Sequence, residues 1–430
     1  MYFLNYSFFS SFIKNFKIKS ILFYFIIILI INSIFYYEYI KRFPYDVNIY
    51  GDIQFNRLAF FFGPLLDNFI NNNQYVQYIF DKEFFLSRMP LIPIFIKYVY
   101  LILTKKLFFL IFIKNLLFFS LIIYLLYKIL KKDFLVLVAF CLIIYNPFNL
   151  ATSLTIIPEE GYLSFFFIIF FLVYNYYNFN RILLFSILLF LIFFTKASLV
   201  YFCYIFSILI FSTEKNNNKL FNAIPLLAVI TAYLIWATYA YSKLNKIISP
   251  ISVSSISGFT IQVAYNKEFN LIYPLQSPDI LLDEIFEKNL NKIKESKDEL
   301  EINSIFFGNS INFIINNKTD VFFSFIKKLN LLFFNIKYDA KNMLDENYDR
   351  IRYSDIPNKI ALIGTVLLIF YKIFIKKKYL RAEIFLIFFF ITYLFPYIAA
   401  FLYTRHLVPI FIICHLYLYF EFLKYYKKFK

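Results

Sequence analysis

Residues Met89-Pro90-Leu91-Ile92-Pro93-Ile94-Phe95-Ile96-Lys97-Tyr98-Val99-Tyr100-Leu101-Ile102-Leu103-Thr104 decide how the whole chain is threaded. The run is apolar enough for a membrane helix. Pro90 and Pro93 stand in its first turn, however, and at ~1.5 Å per residue it reaches only about 24 Å, short of a ~30 Å hydrocarbon core. We read it as a helix lying at the membrane interface. Were it to cross, every later loop would change sides.

Ten other apolar runs are expected to span, near residues 20–37, 107–128, 134–151, 162–178, 182–195, 197–213, 220–241, 358–375, 382–402 and 407–423. With the N-terminus inside and 89–104 not crossing, the basic clusters Lys128/Lys131/Lys132, Arg181, Lys215/Lys219, Lys376/Lys377/Lys378/Arg381 and Lys424/Lys427/Lys428/Lys430 all become cytoplasmic, as the positive-inside rule requires. All acidic residues except Asp133, Glu214, Glu383 and Glu421 then lie outside, and the cost of this threading is that Lys105 and Lys106 sit outside as well. The expected fold class is an all-α polytopic membrane protein, a single unit over 1–430 in the inner (plasma) membrane with both termini cytoplasmic. A first outer loop (38–106) holds interfacial helices, and a large outer loop (242–357) holds short ones. In the latter, Leu282, Ile285, Phe286, Leu290 and Ile293 recur at helical spacing among charges, the pattern of an amphipathic helix.

Composition agrees. Hydrophobic residues make up 61% of the chain, beyond the roughly half-apolar usage of soluble domains. The net charge of +17 is dispersed in clusters between apolar runs rather than along one face, which suits membrane anchoring and argues against nucleic acid. Cys141, Cys203 and Cys414 sit unpaired inside apolar runs, so neither a disulfide framework nor a zinc site is expected. Only His406 and His415 are present, too few for a histidine metal cluster, and no phosphate-binding glycine loop or nucleophile elbow occurs. Lys14, Lys17 and Lys19 precede the first run as in a signal peptide, but no small-residue cleavage site follows, so the run is kept as a span.

Five places carry chemistry. Asp52 follows the first span; a carboxylate held against apolar surface gains proton affinity and can act as a general base, whereas a solvated loop aspartate is the alternative. Arg88 precedes Pro90 and Pro93, and its planar donors suit a phosphate, although it could equally reach for lipid headgroups. Glu159 and Glu160 open a span, either as functional intramembrane acids or as a helix N-terminal cap. Lys196 breaks the apolar stretch 182–213, either as a phosphate ligand or as a topological marker. Arg405 starts the last span in Arg405-His406-Leu407-Val408-Pro409.

Taken in order, these features resemble the GT-C superfamily of membrane glycosyltransferases, which includes the protein mannosyltransferases and the aminoarabinose transferase of lipid A. The likeness rests on Asp52 with Ala59, Arg88-Met89-Pro90 with Pro93, Pro158-Glu159-Glu160, Phe194-Thr195-Lys196-Ala197, the late Arg405-to-Pro409 motif, and the segments Ser310–Asn317 and Phe322–Lys328. It implies inverting transfer of a sugar from a polyprenyl-phosphate donor to a glycan, lipid or protein acceptor outside the cytoplasm, within the lipid bilayer. Asp52 would be the catalytic base, Arg88, Lys196 and Arg405 would neutralise the phosphate, and Glu159 or Glu160 would bind sugar hydroxyls. The resemblance implies no certain cofactor; Mg²⁺ or Mn²⁺ stays open. Competing expectations are a flippase or transporter for lipid-linked sugars, disfavoured by few mid-span charges, and an O-antigen polymerase or ligase, disfavoured by the long first outer loop.

Overall fold

Each of the ten apolar runs is helical where it is described, and so is most of the described sequence between them. The computed structural model describes residues 18–42, 63–79, 81–102, 106–130, 132–144, 159–176, 181–213, 219–250, 252–273, 281–333, 356–377, 381–400, 402 and 404–426. Helix α1 (Ile18–Arg42) comes first. A first-loop unit follows: α2 (Gly63–Asn71), an antiparallel hairpin of β1 (Gln77–Ile79) and β2 (Lys82–Phe84), and α3 (Leu91–Ile102). Then come α4 (Leu107–Leu130), α5 (Asp133–Ile144), α6 (Glu159–Tyr176), α7 (Arg181–Phe193), α8 (Val200–Thr213), α9 (Lys219–Asn222) and α10 (Ile224–Leu244). The large loop carries α11 (Ser257–Ala264), α12 (Phe269–Ile272), α13 (Leu281–Glu295), α14 (Glu299–Asn316) and α15 (Lys318–Phe333). The last helices are α16 (Ile356–Phe370), which continues into a π-helical turn at Tyr371–Ile375, α17 (Arg381–Ala399) and α18 (Val408–Tyr426). Short 3₁₀ turns at Ala197–Leu199 and Thr404–Leu407 lead into α8 and α18.

Among the described residues, four segments are long and apolar enough to cross a membrane: Phe108–Tyr127, Ile224–Leu244, Ile356–Ile375 and Arg381–Ala399. The remaining apolar runs form shorter helices such as Leu22–Ile34, Ile182–Phe193 and Val408–Phe422. Within the deciding stretch, Leu91–Ile102 is helical: α3 starts directly after Pro90 and keeps Pro93 in its first turn, where its missing N–H is harmless.

Aromatic side chains fill the centre. Phe167 and Phe170 of α6 meet Phe202 and Phe206 of α8 and Phe385 and Phe389 of α17 with centroids 4.9–5.8 Å apart, mostly edge to face. Such pairs add about 0.5–1.5 kcal/mol each beyond the area they bury. Here the phenylalanine richness of the sequence has a packing role. A second cluster joins α1, α4 and α5 to α18 through Tyr24, Ile28, Phe119, Phe140 and Ile412, and within it Asn115 Nδ2 donates to Asn32 Oδ1 at 2.8 Å.

The end of the bundle where α16 and α18 finish and α17 begins holds a buried ion network. Lys372 Nζ lies 2.6 Å from both Glu383 Oε1 and Glu421 Oε2, Tyr417 donates to Glu383 at 2.6 Å, and Lys424 pairs with the other oxygen of Glu421 at 2.7 Å. In these contacts two cations meet two carboxylates. The wide turn at Tyr371–Ile375 carries Lys372 into it.

Candidate functional site

At the opposite end, Ser87-Arg88-Met89-Pro90 is held from every side. β2 delivers the chain to Glu299, the first residue of α14, whose carboxylate accepts the Phe85 amide at 2.9 Å and the Leu86 amide at 3.1 Å. The Ser255 amide donates to Leu86 O (3.1 Å), Ser254 Oγ to Ser87 O (3.2 Å) and Tyr75 OH to Arg88 O (2.8 Å). Tyr239, near the C-terminal end of α10, donates in turn to Tyr75 O at 3.2 Å. The backbone around the half-buried Arg88 is therefore fixed by two loops and a long helix.

Glu299 is the centre of that clamp. It is fully buried, and burial pushes its carboxyl up to about 7; the Ser255 hydroxyl and the Phe85 and Leu86 amides act against this, while Asp298 adds to it. Burial would raise Asp298 too, but the Lys246 ammonium and the Glu301 and Leu300 amides outweigh it and hold this carboxyl below its ordinary value. Asp298 caps α14, accepting the Leu300 amide at 3.0 Å and the Glu301 amide at 3.1 Å.

Just beyond Pro90, the Leu91 amide donates to Phe194 O at 3.0 Å, which joins the Arg88 segment to the turn carrying Lys196. This turn separates α7 from α8, where the sequence reading puts the break between two short helices. Lys196 Nζ lies 5.3 Å from the centre of the Tyr397 ring, and Ser198 Oγ donates to Tyr397 OH at 3.4 Å. Tyr397 stacks on His406 with centroids 4.0 Å apart, and Tyr393 OH donates to His406 O at 2.9 Å. His406 follows Arg405 in the 3₁₀ turn before α18. The segments of Arg88 and Lys196 are thus in direct contact, and Tyr397 of α17 bridges the Lys196 turn to the turn that holds Arg405. The Arg405 side chain lies outside the described atoms.

Glu159 and Glu160 are the first residues of α6, and their side chains are likewise outside the description. One turn on, Tyr162 packs against Phe95 of α3 at 5.5 Å, so this helix start adjoins the segment that follows Pro90. Asp52 lies outside the described residues. Among those described, no group of three or more His, Cys, Asp or Glu side chains is placed to hold a metal, and the carboxylates that would bind Mg²⁺ or Mn²⁺, those of Asp52, Glu159 and Glu160, are not among them.

Two parts of this arrangement escape the sequence reading. The β1–β2 hairpin is one; its only signal is Asp81 in the left-handed region (φ 61°), a conformation aspartate tolerates at a tight turn. Glu299 is the other, one acid among many in a charged loop. Comparison with known protein families, with curated proteins and with solved structures finds no match for this chain.

Proposed function

We propose that this chain is a membrane glycosyltransferase that moves a sugar from a polyprenyl-phosphate donor to an acceptor outside the cytoplasm, with inversion at the anomeric carbon. It works as a ten-span protein with both termini cytoplasmic and the Arg88–Lys196–Arg405 end facing outward. The acceptor oxygen attacks the anomeric carbon as Asp52 takes its proton. The bond to the phosphate oxygen breaks, and the phosphate leaves with the electron pair. Arg88, Lys196 and Arg405 neutralise that leaving charge, and Glu159 or Glu160 orients the sugar through its hydroxyls.

The observation that carries the reading is the joining of the three cation-bearing segments by the Leu91–Phe194 hydrogen bond, the Lys196–Tyr397 contact and the Tyr397–His406 stack. A lipid-phosphate leaving group needs positive charge gathered at one place, and adjoining segments that carry Arg88, Lys196 and Arg405 support that reading. The buried Lys372–Glu383–Glu421 network would favour a transporter if it lined a path through the middle of the bundle. It sits instead at one end, where Lys372 bridges both carboxylates, as a structural pin.

Mass spectrometry of envelope glycans from cells with and without the protein tests the proposal. Its absence should remove one sugar substituent, wild type should restore it, and Asp52→Asn should not, since losing a general base slows such reactions by about 10²–10⁴. Full restoration by Asp52→Asn would remove the assigned mechanism.

A further inference from the structure

Helix α15 packs against α12 and buries Ser324 and Lys328. Asp320, Ser324 and Lys328 follow at four-residue spacing, about 6 Å apart along the axis. Asn270 of α12 is anchored at the start of this series, donating Nδ2 to Asp320 O at 2.8 Å, while Lys327 donates to Asn270 O. Among the described residues, two polar atoms here have no hydrogen-bond partner, and a buried ammonium beside them has only aromatic rings. Lys328 is 1% exposed, yet its ammonium has no hydrogen-bond or carboxylate partner among the described residues; it lies 5.1 Å from the centre of the Tyr265 ring and 5.4 Å from that of Phe269. Asp320 and Glu268, the carboxylates closest to this contact along the chain, do not pair with it, and burial alone pushes the Lys328 ammonium down to about 7. Ser324 Oγ and Asn270 Oδ1 are buried without partners as well. Aromatic faces attract an ammonium but leave its N–H bonds unmade. Folded interiors leave few polar groups in that state, and three at one helix contact are a place where a ligand supplies the missing bonds.

We propose that Lys328, Ser324 and Asn270 form a binding site for a phosphate group. Lys328 and Ser324 offer donors that call for acceptor oxygens, and Asn270 Oδ1 calls for a donor. A phosphate monoester meets both needs: it has several acceptor oxygens, and with a second ionisation near pH 6 its monoanion also keeps a P–OH. A carboxylate or a sulfate brings acceptors and no proton at neutral pH. The phosphate could be free or carried on a lipid. On its other side α15 exposes Phe322, Phe323 and Ile326, an apolar face suited to a bilayer, which puts membrane-borne phosphates within reach. The site stands on burial and unmade hydrogen bonds and does not depend on the transfer reading.

The test is the thermal midpoint of the full-length protein in neutral detergent, titrated with inorganic phosphate, decyl phosphate, sulfate and decanol. Phosphate or decyl phosphate should raise the midpoint, and sulfate and decanol should not. Whichever phosphate acts at lower concentration identifies the source. Lys328→Met should weaken the response roughly 10-fold or more, as loss of a charge-assisted hydrogen bond does, while its unliganded midpoint stays at or above wild type because a buried charge is gone. Ser324→Ala should weaken it less, and carries the test if Lys328→Met does not fold. The exposed Lys318→Met should change nothing. No response in wild type, an equal response to sulfate, or a response undiminished in both site variants would overturn the proposal.

Discussion

Glu299 ties the first loop to the large loop through one carboxylate. Replacing it with alanine leaves the Phe85 and Leu86 amides buried without acceptors, at about 1–3 kcal/mol for each lost partner. Its titration has a definite sign. The folded carboxyl holds its proton up to about 7 against an ordinary 4.5, so between these values the folded chain binds more protons than the unfolded one. Stability is therefore greatest below the ordinary value and falls as pH rises through the interval, by on the order of 3 kcal/mol in all. Thermal unfolding followed across this range should show that slope in wild type and lose Glu299's share of it in Glu299→Gln. An undiminished slope in the variant would assign it to other groups.

Elements meet here through a few close approaches, and two of them can be probed singly. Gly258 of α11 crosses α14 so tightly that its amide donates to Asn303 Oδ1 at 2.6 Å, and an added Cβ would collide with the Asn303 carbonyl and sit 2.8 Å from Oδ1. Gly258→Ala should cost about 1–3 kcal/mol through overpacking, read as a lower unfolding midpoint in detergent. At the other end of the bundle, Lys372→Met leaves Glu383 and Glu421 facing each other without their shared cation, and should cost about 3–5 kcal/mol. The triple variant Lys372→Met, Glu383→Gln, Glu421→Gln should recover most of that loss. If it does not, the network contributes by packing rather than by charge balance.

Over the whole molecule, the helices were legible because apolar runs of this length leave the backbone no other way to satisfy its hydrogen bonds in a membrane. The turn at Lys196 and the helix start after Pro90 were legible for local reasons, a polar break and a proline. The Glu299 clamp and the Lys372 network were not, since each joins elements whose partners local patterns do not specify, and the hairpin was not because its strands are only three residues long. The same limit applies to the candidate site: sequence names Arg88, Lys196 and Arg405 singly, and only the fold links their segments through Phe194, Tyr397 and His406. The central claim is that these three cations serve one leaving phosphate. Donor consumption in vesicles measures this directly, using the purified protein, undecaprenyl-phosphate-linked radiolabelled sugars and envelope extract as acceptor. Wild type should cleave one of these donors, and Arg88→Met, Lys196→Met and Arg405→Met should each slow cleavage by roughly 10- to 100-fold, as expected for lost charge-assisted bonds. Cleavage unchanged in all three variants, or donor moved across the membrane intact, would contradict the account.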